Sequence, residues 1–113
     1  MDVEVSVTDN SDEIKQAAYS AMEVALEAVG LQAEGYAKML CPFDTGRLRN
    51  SITHTADKDT AYIGTNVEYA AYVEYGHSLP SGGQVPPKPY LQPAAEDHAE
   101  EYKQIFKQYM KNA

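Results

Sequence analysis

Pro42-Phe43-Asp44-Thr45-Gly46-Arg47-Leu48-Arg49-Asn50-Ser51-Ile52 separates two stretches of different physical character. Before it the apolar residues recur with a helical period, and after it they alternate as they do in strands. Pro42 has no N–H to donate and disfavours helical geometry at Cys41, so a helix arriving from the N-terminal side must stop there. Asp44-Thr45-Gly46 then supplies side chains that bond the local backbone and a residue free to take positive φ, which is the chemistry of a tight corner. Leu48 and Ile52 either close a short helical turn or begin a strand; the pattern leaves both open.

Asp-Thr-Gly is also the active-site signature of aspartic proteases, and a chain carrying one copy would need to dimerise to bring two Asp44 carboxylates together. Two carboxylates at that distance cannot both ionise, which gives such dyads their acid and base roles. Those enzymes are built almost wholly of strands, with the aspartate on a loop leaving a strand, and Tyr62-Ile63-Gly64 only faintly imitates their apolar-apolar-glycine element. Here the aspartate follows a long helix. A structural corner is therefore the preferred reading, and a homodimeric aspartic protease using Asp44 is its alternative.

Upstream, Val3, Val5 and Val7 alternate with Glu4, Ser6 and Thr8 as a short half-buried strand, an edge or an arm. Asn10 and Glu13 form a capping box that opens a helix. Ile14, Ala18, Ala21, Met22, Ala25, Leu26, Val29, Ala33, Tyr36, Ala37 and Leu40 then fall at three- and four-residue spacing. One continuous helix to Leu40 would span about 45 Å at the usual rise per residue. Gly30 and Gly35 weaken it and allow a bend or close packing. Alanine on the buried face implies a closely approaching neighbour, and the opposite face reads as polar.

Downstream, Ser51 to Thr55 and Ala61 to Thr65 flank the polar cluster Asp57-Lys58-Asp59 and read as a β-hairpin. His54 is expected to be an exposed strand residue. Tyr69, Tyr72 and Val73 share a helical face and Gly76 suits a C-terminal cap, so a short helix is expected there. His77 to Lys88, with Pro80, Gly82, Gly83, Pro86 and Pro87, reads as a mobile loop. One last helix follows, with Pro93 in its first turn, Glu96, Asp97, Glu100 and Glu101 near its positive end, and Leu91, Ala95, Tyr102, Ile105, Phe106, Tyr109 and Met110 as its apolar stripe. Lys103, Lys107 and Lys111 line up as a solvated face.

The chain has 113 residues, the size of one domain, and its net charge of -8 argues against attraction to nucleic acid or anionic membrane. Cys41 is the single cysteine, so no internal disulfide or metal framework exists; a buried thiol at a helix end is the plain reading. His54, His77 and His98 show no ligand spacing, and neither a metal nor another cofactor is expected. No apolar run approaches the length that crosses a bilayer, and the acidic start does not resemble a secretory signal, so a cytoplasmic protein is expected. Nine tyrosines without tryptophan suit either the rim of a small core or a surface buried against a partner.

With these segments in order, the chain resembles the HK97 gene-10-product-like phage proteins, a family of head-tail joining or tail-completion components. The resemblance is carried by Pro42 with Asp44-Thr45-Gly46-Arg47-Leu48-Arg49-Asn50-Ser51-Ile52, by Gly64-Thr65 with Tyr69-Ala70-Ala71-Tyr72-Val73-Glu74-Tyr75-Gly76, and by Pro89-Tyr90-Leu91-Gln92-Pro93-Ala94. Tyr75 and Tyr90 stand where phenylalanine is common in such proteins. The resemblance implies a non-enzymatic virion subunit, assembled in the host cytoplasm. It would form a ring, with six copies suspected, at the neck of a long-tailed phage. Its neighbours would be the head connector or stopper and the tail terminator, and DNA would pass through without sequence-specific binding. A third possibility is a protein retained from a prophage and reused.

The expected architecture is α+β: a long N-terminal helix and a C-terminal helix packed on a small, mostly antiparallel sheet, with residues 1–113 as a single domain. A ring requires two different complementary patches on each subunit. The candidates are Tyr69, Tyr72 and Tyr75 with Glu74 on one side, and the corner with Arg47 and Arg49 on the other. Residues 77 to 88 are expected to order only on meeting the next ring.

Overall fold

The computed structural model describes residues 1–6, 19–42, 46–57 and 59–111, with the side chains of 19 and 20 excepted. The Asn10/Glu13 capping box, Ile14, Ala18, Val7 and Thr8, the corner residues Phe43, Asp44 and Thr45, and Lys58 lie outside them. The elements run β1 (Asp2–Val5), α1 (Tyr19–Leu40), α2 (Gly46–Ser51), β2 (Thr53–Ala56), β3 (Ala61–Gly64), α3 (Ala70–Tyr75), β4 (His77–Ser78), β5 (Gln84–Val85), α4 (Leu91–Glu96) and α5 (Ala99–Lys111). This is the expected α+β arrangement, helices packed on a small antiparallel sheet.

Helix α1 ends at Leu40, two residues before Pro42, as the missing donor requires. Beyond the corner the ambiguous Leu48 is helical, and its buried side chain plugs α2 into the core. The hairpin forms where the polar cluster predicts it: β2 pairs antiparallel with β3, His54 opposite Ile63. Strand β1 takes the other edge of β3, Asp2 opposite Gly64, giving the order β1-β3-β2. Being central, β3 is the most buried strand, with Ala61, Ile63 and Gly64 all enclosed. Gly64 has to be glycine, because a Cβ there would run into Asp2 and the Met1 carbonyl oxygen.

The core lies between α1 and the sheet, closed by α4 and α5. Ala25, Val29, Ala33 and Ala37 of α1 are buried against Ile52, Ile63, Tyr90, Leu91 and Tyr102. Small residues on that face bring the neighbours close to the helix axis. Gly30 serves the same end: a Cβ there would stand 3.1 Å from the His54 ring, so the gap in the helix surface admits that side chain. Gly35 faces open space and meets nothing.

Three expectations need correction. The outer face of α1 is not polar, since Val24, Leu31 and Met39 stand exposed along it. The proline- and glycine-rich stretch is not a structureless loop. Strands β4 and β5 pair antiparallel, with the Leu79 N–H on the Gly83 carbonyl at 2.7 Å and the Gly82 N–H on the Leu79 carbonyl at 3.0 Å. Local hydrogen bonding across the Gly82-Gly83 turn overrides what composition suggests. The last helix is two, because the helical run is interrupted at 97–98 between α4 and α5. At the break the His98 ring stacks flat on Tyr36 of α1, centroids 3.6 Å apart, while the Tyr102 hydroxyl donates to the Ala94 carbonyl. Leu91, Ala94 and Ala95 before the break and Tyr102 and Phe106 after it all face the core.

Candidate functional site

The corner is held by backbone carbonyls that the end of a helix leaves unsatisfied. Arg49 reaches back to donate from Nη2 to the Cys41 carbonyl at 3.1 Å. Cys41 itself is buried at the helix end, as expected, and burial pushes its thiol up, partly opposed by Arg49. The Ser51 hydroxyl donates to the Leu48 carbonyl at 2.6 Å. That leaves its lone pairs for the Thr65 hydroxyl, 2.5 Å away, and Thr65 in turn accepts the Val67 N–H at 3.1 Å. Ser51 and Thr65, distant in sequence, therefore form one hydrogen-bonded seam between the corner and the segment that follows β3.

Arg47 leaves the corner in the opposite sense, toward solvent. Its guanidinium makes a two-pronged contact with Glu68, Nη1 to Oε1 at 3.1 Å and Nη2 to Oε2 at 2.9 Å, and lies 5.5 Å from the centre of the Tyr69 ring. Both side chains are mostly exposed, 60% for Arg47 and 72% for Glu68, so the pair orients the guanidinium more than it stabilises the fold. The geometry joins what the sequence kept apart: Arg47 and the tyrosine segment share one continuous surface. Glu68 was missed as the arginine's partner because nothing in a linear pattern places position 68 beside position 47.

Within the tyrosine segment the side chains divide. Tyr72 and Tyr75 are 59% and 62% exposed, an aromatic surface on which the His77 ring lies tilted against Tyr72, centroids 5.0 Å apart. Glu74 is not available to an arginine outside the fold. It is 2% exposed, and its carboxylate accepts the N–H groups of Tyr90 and Leu91 at 3.1 and 2.8 Å on Oε1 and of Gln92 at 3.1 Å on Oε2. Those are donors that the first turn of α4 leaves open. A glutamate at the end of α3 thus caps a helix that begins seventeen residues later. Tyr90 is likewise internal, its hydroxyl donating to the Ala70 carbonyl at 3.3 Å. Leu48 is buried, Pro93 half-buried and Pro89 exposed. Gly76 closes α3 with φ of 75°, where a Cβ would stand 2.6 Å from the Val85 carbonyl oxygen, so the ribbon is hitched to α3 through a position that needs glycine. Asp44 and Thr45, the remaining members of the corner motif, lie outside the described residues, and Gly46 opens α2.

His54 differs from its expectation. It is not a free strand residue: Nδ1 lies 2.9 Å from Glu34 and Nε2 2.9 Å from Glu27, with the ring seated over Gly30. Two carboxylates facing two ring nitrogens require both nitrogens to donate, which is the protonated imidazolium. Burial works against that charge, but the bonds to Glu34 and Glu27 outweigh it, and the pKa is raised above the ordinary 6.5. The sequence did carry a signal, since Glu27, Gly30 and Glu34 fall on one helical face with the glycine between the acids.

The arrangement is that of a small α+β subunit whose motif residues either lock its own corners together or present an exposed tyrosine and arginine surface. The profile of the family described as "Bacteriophage HK97-gp10, putative tail-component" matches residues 6–76, more than half of the 113 residues, and the chain belongs to this family. It is a phage tail component, and its place is the virion. The match takes in the corner and the tyrosine helix and stops at Gly76, before Pro89-Tyr90-Leu91-Gln92-Pro93. No curated protein and no solved structure matches the chain. Among the described residues, no helix is long and apolar enough to cross a membrane.

Proposed function

We propose that the chain is a ring-forming adaptor at the head-tail interface, which completes the tail and joins it to the head connector. Six copies surround the channel, residues 1–113 act as one tail-completion domain, and the subunit catalyses no reaction. Its neighbours are the connector or stopper on the head side and the tail terminator on the other, and assembly takes place in the host cytoplasm. The observation that carries this reading, together with membership of a phage tail-component family, is the exposed surface of Tyr72, Tyr75 and the Arg47–Glu68 pair. Large rigid aromatics with one polar end, beside a fixed guanidinium, are what contacts between proteins use most.

Electron microscopy of particles carrying Tyr72→Ser and Tyr75→Ser tests it. Heads and tails that accumulate separately, with the wild-type chain located at the neck, are the expected result; normal particles from the double variant overturn it. The protease reading draws no support from the strand-poor frame in which the corner sits. Asp44→Asn is expected to leave particle assembly intact, and peptide cleavage that disappears with this substitution would sink the adaptor reading.

A further inference from the structure

Among the described residues, the large apolar side chains left exposed fall mainly into two groups. One is the outer face of α1, where Val24, Leu31 and Met39, with Ala28 and Gly35 between them, lie at four- and three-residue spacing directly opposite the buried face. Leu31 is 58% and Met39 77% exposed, along about 22 Å of helix. A helix apolar on two opposite faces has a use for two neighbours. The other group, Tyr72, Tyr75 and Leu79, belongs to α3 and the ribbon, and its Tyr72 lines a groove of about 330 Å³ walled also by Pro42, Val73, Val85, Pro86 and Lys88.

We propose that this groove receives the outer face of α1 from a second copy of the chain. This rests on the ring assignment above and supplies what the structure removed from it, since Arg47 and the tyrosines turned out to be one patch and a closed rotational assembly needs a second, different one. Size and charge both favour this occupant. The groove has room for one or two aliphatic side chains, and Leu31, flanked by the small Ala28 and Gly35, presents a projecting knob midway along the stripe. On a chain of net charge -8, the groove carries the cation of Lys88 and the ring of His77, while the incoming helix carries the exposed carboxylate of Glu23 near its apolar stripe. Like charges would meet if α1 packed against any of the acidic surface instead. The mode is that of an amphipathic helix laid in an apolar groove, here with copies donating and receiving around a circle.

Oxidative cross-linking of the purified chain tests it. The double variant L31C/Y72C is expected to give a ladder of disulfide-linked multimers, and neither single variant is expected to give any. Cys41 does not interfere, being buried. A linked dimer from L31C alone would mean that α1 meets α1, and no ladder from the double variant would mean that the face belongs to another protein; either overturns the proposal. Glu23, which is exposed on α1, provides the independent arm. Glu23→Lys or Lys88→Glu should weaken self-association severalfold and the two together restore it, with unchanged circular dichroism throughout; failure of the pair to rescue counts against the contact. A ladder that never closes into a circular species would keep this contact while sinking the ring, and rings seen by microscopy without cross-linking would do the reverse.

Discussion

Glu74 satisfies three N–H groups at the start of α4, two of them on buried residues, with a single carboxylate. Removing it leaves the donors of Tyr90 and Leu91 without a partner and out of reach of bulk water. Glu74→Ala should therefore cost about 2–4 kcal/mol, seen as a lower urea midpoint at unchanged slope, and Glu74→Gln should fall between. His54 sets a pH dependence whose sign follows from its shift. Its pKa is raised in the folded chain by Glu34 and Glu27 against the effect of burial, relative to the 6.5 of an unperturbed imidazole. The stabilisation is fully present below that value and is lost as pH rises through the folded one. Glu34 acts in the other direction: burial alone would raise its pKa, but hydrogen bonds from His54 and Lys38 bring it below 4.5, so its contribution disappears as pH falls through the folded value. Unfolding free energy measured from pH 6 to 9 should decline above pH 6.5 in the wild type and lie flatter in His54→Asn.

At the scale of elements, the ribbon is the part whose order depends on a single hinge position. Gly76 has φ of 75° with no room for a Cβ beside Val85 and Pro87, and the Lys88 N–H returns to the Val73 carbonyl at 2.9 Å to complete the hitch. Gly76→Ala should cost about 1–3 kcal/mol, concentrated locally. Amide exchange would report it: Leu79, Gly82 and Lys88 should exchange slowly in the wild type and much faster in the variant, while α1 amides stay protected. Uniform acceleration across the chain would place the strain elsewhere. The ribbon's formation also removes the reason for supposing that residues 77–88 wait for a partner to gain structure, because their backbone groups pair within the chain. The division between α4 and α5 has a similar local cause in the stacking of His98 on Tyr36 and the Tyr36 hydroxyl's bond to Glu101, two contacts that fix α5 on α1.

The net charge of the whole molecule sets how strongly it can hold DNA. A net charge of -8 leaves few cations to displace counterions from phosphate, and of the line Lys103, Lys107 and Lys111 the first is half-buried. The purified protein should not retain duplex DNA at moderate salt, and a subunit around a conduit would let the duplex slide. Tight, strongly salt-dependent retention on a filter would overturn that expectation. Arg47→Glu is informative at the same scale, because it places two acids, Glu68 and the new side chain, beside Tyr69. Assembly should be impaired while the fold, which owes this exposed pair little, is kept.

Chain-local physics sufficed for the end of α1 at Pro42, the hairpin around residues 57–59, the cap at Gly76 and the α+β class, because donors, φ angles and apolar periods are properties of a few adjacent residues. Only the tertiary structure decided that Glu74 is a cap for α4, that His54 is a charged clasp on α1, that Arg47 and Tyr69 share a surface, and that the outer side of α1 is apolar and bare. Each of those depends on which distant group lies within about 3 Å of a side chain, or on which face of a helix finds a neighbour. That is settled by how the elements pack, and a periodicity read along one helix cannot say which distant groups its faces will meet.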